Sequence, residues 1–210
     1  MIKAVVQLSR NSQFVRAMII PVFVTLFSLG GATFGMAEEA IPFVLIFIPL
    51  ALALGYDSVT GVAIPFVGSQ VGFAAAFLNP FNVGIAQKIA DVPMFSGMGL
   101  RVIAWALATL LTIAFLMVYA ARIKKNPALS PTYAIDQERR LQAPDASSME
   151  FTGMTNSHKL VLLIFASALM VMVVGVIKYS WFIEEIAALF LVMSIVVALV
   201  GGWIFGINPL

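Results

Sequence analysis

The sequence predicts an all-α, polytopic membrane protein with a re-entrant helical hairpin and an interrupted transmembrane helix. Composition is the first reason: 61% of the 210 residues are hydrophobic, 10% are charged, and the mean hydropathy is +1.03. Soluble domains hold roughly 45–50% apolar and about 25% charged residues. This chain has too little charge to cover a water-facing surface. The second reason is placement. The 12 basic and 10 acidic residues cluster, and the gaps between them have the length of membrane spans. The third is that two of those gaps are broken by glycine, proline and asparagine. A soluble enzyme, a nucleic-acid reader and a disordered tail are disfavoured together. Cysteine is absent and His158 is the single histidine, which removes thiolate chemistry and argues against a metal centre. A net charge of +2 is too small to point to an anionic partner.

The elements follow in order. Residues 17–37 lie between Arg16 and Glu38, and residues 40–56 between Glu39 and Asp57. Between Asp57 and Lys88 run 30 uncharged residues, between Arg101 and Arg122 20, and between Lys159 and Lys178 18; no charge follows Glu185. A straight crossing takes about 20 apolar residues at about 1.5 Å each. The runs starting at Val102, Leu160 and Ile186 are therefore expected to be plain spanning helices. Residues 40–54 are short for a crossing and carry Pro42 and Pro49. Residues 58–87 are too long for one straight helix and are interrupted at Pro65, Gly68, Gly72 and Asn79-Pro80-Phe81-Asn82. The stretch Gly30-Gly31-Ala32-Thr33-Phe34-Gly35-Met36-Ala37-Glu38-Glu39 is glycine-rich and charged within apolar surroundings. Broken helices at membrane depth are tolerated only against protein or a water-filled cavity. The pattern predicts a hairpin with its tip at residues 35–39, then a helix interrupted at residues 79–82. Two full crossings in place of the hairpin would satisfy the charges equally well.

Orientation follows from short basic loops. The segment 122–159 holds six of the 12 basic residues, and Lys3, Arg10 and Arg16 mark the N-terminus. Both are expected on the cytoplasmic side of a bacterial inner membrane. The segment 126–157 carries Pro127, Pro131 and Pro144 and reads as a partly ordered linker with a short helix over 135–142. The expected organisation is residues 1–121 as hairpin, interrupted helix and following span, 122–158 as cytoplasmic linker, and 159–210 as two further helices. Residues 1–16 lack the apolar core and small-residue cleavage site of a secretory leader.

Glu38 and Glu39 carry the sharpest chemical signal. An ionisable residue in an apolar span costs about 2.5–3.5 kcal/mol on insertion scales, and no basic residue lies between Arg16 and Lys88. The two carboxylates must meet a cation, a proton or water; a surface turn between ordinary spans is the plain alternative. Adjacent side chains point about 100° apart on a helix, so one is expected to face a cavity and the other to cap a helix N-terminus. At the second break, Pro80 frees a carbonyl, and Asn79 and Asn82 offer donor and acceptor groups; an ordinary helix end is the alternative. The candidate solute-contacting set is Thr33, Gly35, Met36, Glu38 and Glu39 from the first break, with Ser69, Gln70, Asn79, Pro80, Asn82 and Gly84 from the second. Glu184 and Glu185, beside Tyr179, Trp181 and Phe182, read as an interfacial belt. Arg101 reads as an interface anchor.

Four stretches resemble a known family: Phe27-Ser28-Leu29-Gly30-Gly31-Ala32-Thr33-Phe34-Gly35-Met36-Ala37-Glu38-Glu39-Ala40-Ile41-Pro42-Phe43, Phe77-Leu78-Asn79-Pro80-Phe81-Asn82-Val83-Gly84-Ile85-Ala86-Gln87, Phe95-Ser96-Gly97-Met98-Gly99-Leu100-Arg101 and Glu185-Ile186-Ala187-Ala188-Leu189-Phe190. The chain resembles the YfcC-type branch of the C4-dicarboxylate anaerobic carrier-like membrane proteins, within the ion transporter superfamily. That resemblance implies two inverted repeats, each with a re-entrant hairpin and an interrupted helix, with the solute between them and elevator-like motion. Only one such unit is visible here and family members are about twice as long, so the chain reads as a one-repeat piece.

The expected function is secondary transport of a small carboxylate-bearing solute. A basic amino acid is the favoured cargo, moved by exchange or coupled to Na⁺ or a proton. A C4-dicarboxylate carrier and a non-transporting subunit or scaffold are the alternatives; an enzyme is disfavoured. No cofactor or metal is expected. The expected partners are the solute, the bilayer, and a second copy or a second repeat on another chain, with no nucleic acid.

Overall fold

The computed structural model describes residues 13–142, 156–179 and 181–200. In chain order the helices are α1 (Gln13–Phe34), α2 (Ile41–Ala53), α3 (Ser58–Ala74), α4 (Ile85–Ile89), α5 (Met98–Lys125), α6 (Tyr133–Gln142), α7 (Asn156–Tyr179) and α8 (Ile183–Leu199). Short 3₁₀ turns cover Glu38–Ala40 and Pro127–Leu129, and a π-helical segment covers Pro80–Gly84. Among the described residues there is no strand, so the protein is an all-α membrane protein. Among the described residues, three helices are long and apolar enough to cross a bilayer: Ala17–Phe34, Met98–Lys125 and Lys159–Val176. α8, expected to span from Ile186, is described over only 17 residues and is not one of the three. The described residues up to 83 and from 95 to 142 form one compact unit; residues 84–94 and those from 156 onward form another. The basic residues Lys3 and Arg10, and the linker from 143 to 155, lie outside the described residues.

Helical structure is interrupted in both regions read from the sequence, but the second gap covers residues 75–79, and residues 80–82, expected to be the break, are already helical. α3 also runs unbroken through Pro65, Gly68 and Gly72, where interruptions were expected: the two glycines serve close packing on α1 instead of ending the helix. α1 stops at Phe34 and α2 starts at Ile41, so the first stretch turns at residues 35–40. α3 stops at Ala74, and helical structure resumes only at Pro80. The linker helix begins at Tyr133, two residues before its expected start, and α5 begins at Met98, four residues before Val102. Gly97 explains the earlier start of α5: it takes φ +72° at the N-cap, a turn that glycine adopts without strain.

Pair contacts fix how the first unit is threaded. Phe23 meets Phe47 edge-on at 4.9 Å and Phe27 meets Phe43 at 5.2 Å, so α1 and α2 run antiparallel as a helical hairpin. α3 runs parallel to α1, with Gly68 against Val24 and Gly72 against Ser28. α5 runs antiparallel to both: its Thr109 hydroxyl lies 2.7 Å from that of Ser28, and its Tyr119 hydroxyl donates to Asp57 at 2.7 Å. The turn at 35–40 and the break at 75–80 therefore sit together at one end, the tip. The turn at 54–57, the C-terminal end of α5 and α6 sit at the other, the base. Ile20, Val24, Phe27, Phe47, Leu50, Ile64 and Leu116 are buried between the helices.

Lipid tails are as apolar as leucine, so close backbone approach replaces hydrophobic burial as the force between such helices. Gly68 and Gly72 stand four apart on α3 and form a small-xxx-small face. A Cβ at Gly72 would lie 1.9 Å from the Ser28 carbonyl oxygen, and one at Gly31 would lie 2.1 Å from that of Ser69. Neither backbone can yield without separating the helices.

In the second unit, Trp181 lies over Gly175, where a Cβ would come within 2.3 Å of the indole. Glu185 accepts from the Phe182 N–H at 2.8 Å and caps α8. The Lys88 ammonium sits 4.1 Å from the centroid of the Phe182 ring.

Gly72→Val should lower thermal stability in detergent by about 1–3 kcal/mol, the usual range for forcing side-chain volume into a packed contact. Gly99→Ala is the control: nothing lies within 4 Å of its Cβ position, so it should not lower the melting temperature, and helix propensity should leave it unchanged or slightly raised.

Candidate functional site

The tip is built from two helix ends that complete one another. Gly35 takes φ +79° and turns the chain out of α1, and the Met36 N–H returns to the Gly30 carbonyl at 3.2 Å. Two further carbonyls of the last turn of α1 are taken from outside the helix. Ala32 accepts from the Leu78 N–H at 3.1 Å, and Gly31 accepts from the Asn79 side-chain amide at 3.1 Å. The second break therefore caps the C-terminus of α1.

Asn79 is fully buried and serves both breaks. While its amide nitrogen donates to Gly31, its side-chain oxygen accepts from the Phe81 N–H at 2.8 Å and its carbonyl accepts from the Val83 N–H at 3.0 Å. This is an N-cap, with Pro80 at the following position where no N–H is needed. Asn82 reaches back across the gap, its side-chain amide donating to the Phe73 carbonyl of α3. A Cβ at Gly35 would lie 2.6 Å from the Phe81 ring and 2.8 Å from the Asn79 oxygen, so only glycine fits where the breaks interlock.

Gly35, Asn79, Pro80 and Asn82 are thus brought together, and Gly84 is buried just beyond them in the chain. Met36 is buried against Gly30. Glu38 and Glu39 are exposed at the tip; Glu39 accepts from the Ala37 N–H at 3.0 Å, two residues back, and neither glutamate side chain caps the start of α2 as expected, because both stand before it in the short 3₁₀ turn. Thr33 turns away from this cluster and donates to the Leu29 carbonyl of its own helix at 2.6 Å. Ser69 is buried at the crossing of α1 and α3 and donates to the Phe66 carbonyl at 3.0 Å. Gln70, the next residue, is half-buried. The N-termini of α2 and of the Pro80 segment both start at the tip, and backbone N–H groups at a helix start attract anions. Beside them stand two carboxylates able to attract a cation.

The family model of the C4-dicarboxylate anaerobic carriers, DcuC, matches residues 1–207. The chain belongs to this family. It is 43% identical over 197 residues to an Escherichia coli (strain K12) protein, YfcC, whose name carries a provisional description as a basic amino acid antiporter. That match takes in 94% of the chain and 38% of the relative. A Haemophilus influenzae protein of uncharacterised function is 32% identical over 200 residues, which is 95% of the chain and 39% of that protein. The chain spans about two-fifths of the length of these curated relatives. No solved structure matches it.

The carrier-family chain also holds a polar centre that the sequence reading left without a role. At the base, Asp57 is 2% exposed and its carboxylate accepts four hydrogen bonds. They come from the Thr60 N–H (2.9 Å), the Thr60 hydroxyl (2.6 Å), the Tyr119 hydroxyl (2.7 Å) and the Ser130 hydroxyl (2.7 Å). Burial pushes the carboxyl up, but the bonds from Thr60, Tyr119 and Ser130 outweigh it and hold Asp57 below its ordinary value of 3.8. The local signal was present as Asp57-Ser58-Val59-Thr60, an N-cap pattern. The partners Tyr119 and Ser130 come from 62 and 73 residues away, and spacing alone could not find them.

Asn79→Leu keeps the volume but strands the Gly31 carbonyl and the Phe81 N–H; a loss of about 2–4 kcal/mol is expected in thermal unfolding. Asp57→Asn should cost about 1–3 kcal/mol at neutral pH. A carboxyl depressed in the fold stabilises fully above 3.8 and loses that contribution as pH falls through its folded value. The gap between parent and Asp57→Asn melting curves should therefore narrow at pH values below 3.8.

Proposed function

We propose that this chain forms one repeat of a secondary membrane transporter and that the tip is half of its solute site. The observation that carries the reading is the interlock itself: two broken helices, stitched through Asn79, start two helices beside an exposed acidic pair. Helix breaks of this kind in transporters point half-helix N-termini at anionic groups and free carbonyls at cations. On this reading the tip lies within the membrane as a re-entrant hairpin. The base is cytoplasmic, because Arg122, Lys124 and Lys125 end α5 there. The bacterial inner membrane is the corresponding location.

A carboxylate-bearing solute with a cationic part fits such a tip. Its carboxylate meets the helix N-termini, and Glu38, the carboxylate of the pair not engaged at Ala37, meets its cationic part, a coupling proton or Na⁺. A basic amino acid is favoured over a dicarboxylate, since like charges repel strongly in a low-dielectric site. The name of the Escherichia coli relative supports this choice, whereas the description of the family supports a C4-dicarboxylate. Transport proceeds by elevator-like motion of the hairpin-bearing unit, and a second copy or a second repeat supplies the facing half-site.

In vesicles made with the whole transporter, Glu38→Gln should lower arginine or ornithine uptake by about tenfold, the loss of one charge-assisted contact. Glu39→Gln should lower it less, because glutamine can still accept from Ala37. If both variants carry arginine as the parent does, the carboxylate role is wrong. Preference for succinate over arginine in the parent would favour the dicarboxylate reading.

A further inference from the structure

We propose that α6 is a releasable clasp on the base of the hairpin, held by charge and hydrogen bonds rather than by apolar packing. It lies at the opposite end of the unit from the proposed solute site and does not depend on what that site carries.

α2 ends and α3 begins around the turn at 54–57, so the negative end of one helix dipole lies beside the positive end of the next. α6 matches both. Asp136 accepts from the Ser58 N–H at 2.9 Å and from the Ser58 hydroxyl, placing a carboxylate on the first turn of α3. Arg140 donates to the Tyr56 carbonyl at 2.8 Å, placing a cation just past the end of α2. Arg139 strengthens the grip, donating to the Ser58 hydroxyl at 2.8 Å with its guanidinium 3.9 Å from Asp136. The lead-in to α6 is tied as well: Thr132 donates to Asp136 at 2.7 Å, and Ser130 donates to Asp57 at 2.7 Å. The two aspartates thus cap α3 together, one from its own chain end and one from 78 residues away.

Apolar packing contributes little to this contact. Ile135 and Leu141, the branched aliphatic side chains of α6, are exposed. A cavity of about 120 Å³ lies between the clasp and the base, lined by Tyr56, Ile123, Ser130, Tyr133 and Arg140 among others. A helix of 10 residues is marginal in water by itself. α6 therefore depends on its polar grip for order, and losing the grip dissolves the helix. Such an order–disorder element is a common form of molecular switch. The arginine side of the grip, Arg139 and Arg140, is exposed, and charge-held contacts at a surface weaken with salt, whereas apolar ones do not.

The chain contains no cysteine, so Ile123→Cys provides a single thiol beneath the clasp, at a position 3% exposed. In membranes, maleimide should label it slowly. Adding Asp136→Asn or Arg140→Gln should speed labelling about tenfold. Raising salt from about 0.05 M to about 1 M should speed labelling of the Ile123→Cys chain itself, an arm that needs no variant at the clasp to fold. Leu129→Cys, on an exposed position, should label fast throughout. Equal labelling of the Ile123→Cys thiol with the clasp intact, with either clasp variant added and across the salt range would overturn the clasp, whatever the chain transports.

Discussion

Backbone amides and carbonyls released where a helix breaks inside packed protein must find partners, because a buried unpaired group costs as much as a lost hydrogen bond. This constraint governs the tip. α1 stops with carbonyls to satisfy, and the segment before Pro80 starts with N–H groups to satisfy. The structure answers both with one buried side chain. Asn79 gives its amide to Gly31 and takes the Phe81 N–H, while the neighbouring Leu78 N–H takes Ala32. Neither break is self-sufficient, so the hairpin and the interrupted helix are a single structural device. Gly35 is the geometric condition for it, since any side chain there would occupy the space of Phe81 and Asn79.

The two ends of the unit treat charge in opposite ways. At the base, Asp57 and Asp136 are buried and accept bonds from Thr60, Tyr119, Ser130, Ser58 and Thr132. Buried carboxylates of this kind specify geometry: removing a donor would leave a charge without a partner at a cost well above the worth of a surface contact. At the tip, Glu38 and Glu39 stay exposed, and Glu39 accepts from the Ala37 N–H. Asp57, fully bonded, belongs to the frame, while an exposed acid at the tip keeps its charge available to something else.

Between these ends the helices are held by shape. Gly31, Gly68 and Gly72 let α1 and α3 touch backbone to backbone over successive turns, and Gly61 brings α3 equally close to α2 at Phe47 and Ile48. α3 is the centre of this arrangement, which is why a helix of 17 residues carries so many small side chains. Ser28 adds a polar stitch to α5 through Thr109 and the Trp105 indole, which donates to it at 2.8 Å. The tight crossing also holds α1 and α3 in register, so that the breaks that follow them meet.

The sequence by itself determined the class of protein, the approximate regions of both breaks, the helices after them and the short linker helix; it misplaced the second break by a few residues and read Pro65, Gly68 and Gly72 as interruptions of a helix that is continuous. Each rests on local information: charge spacing, proline and glycine punctuation, and run length act within a turn or two of the residue concerned. It also marked Asn79, Asn82, Gly35 and the glutamate pair as unusual, because polar groups in apolar runs are visible without coordinates. Only the tertiary structure decided what those residues do. That Asn79 caps a helix 48 residues away, that Thr33 bonds its own helix instead of joining the tip, and that Asp57 gathers Tyr119 and Ser130 depend on which helices run parallel and in what register. Register is set by the summed fit of glycine faces across α1, α2 and α3, with α5 joined through Ser28, and no single stretch of the chain contains that information.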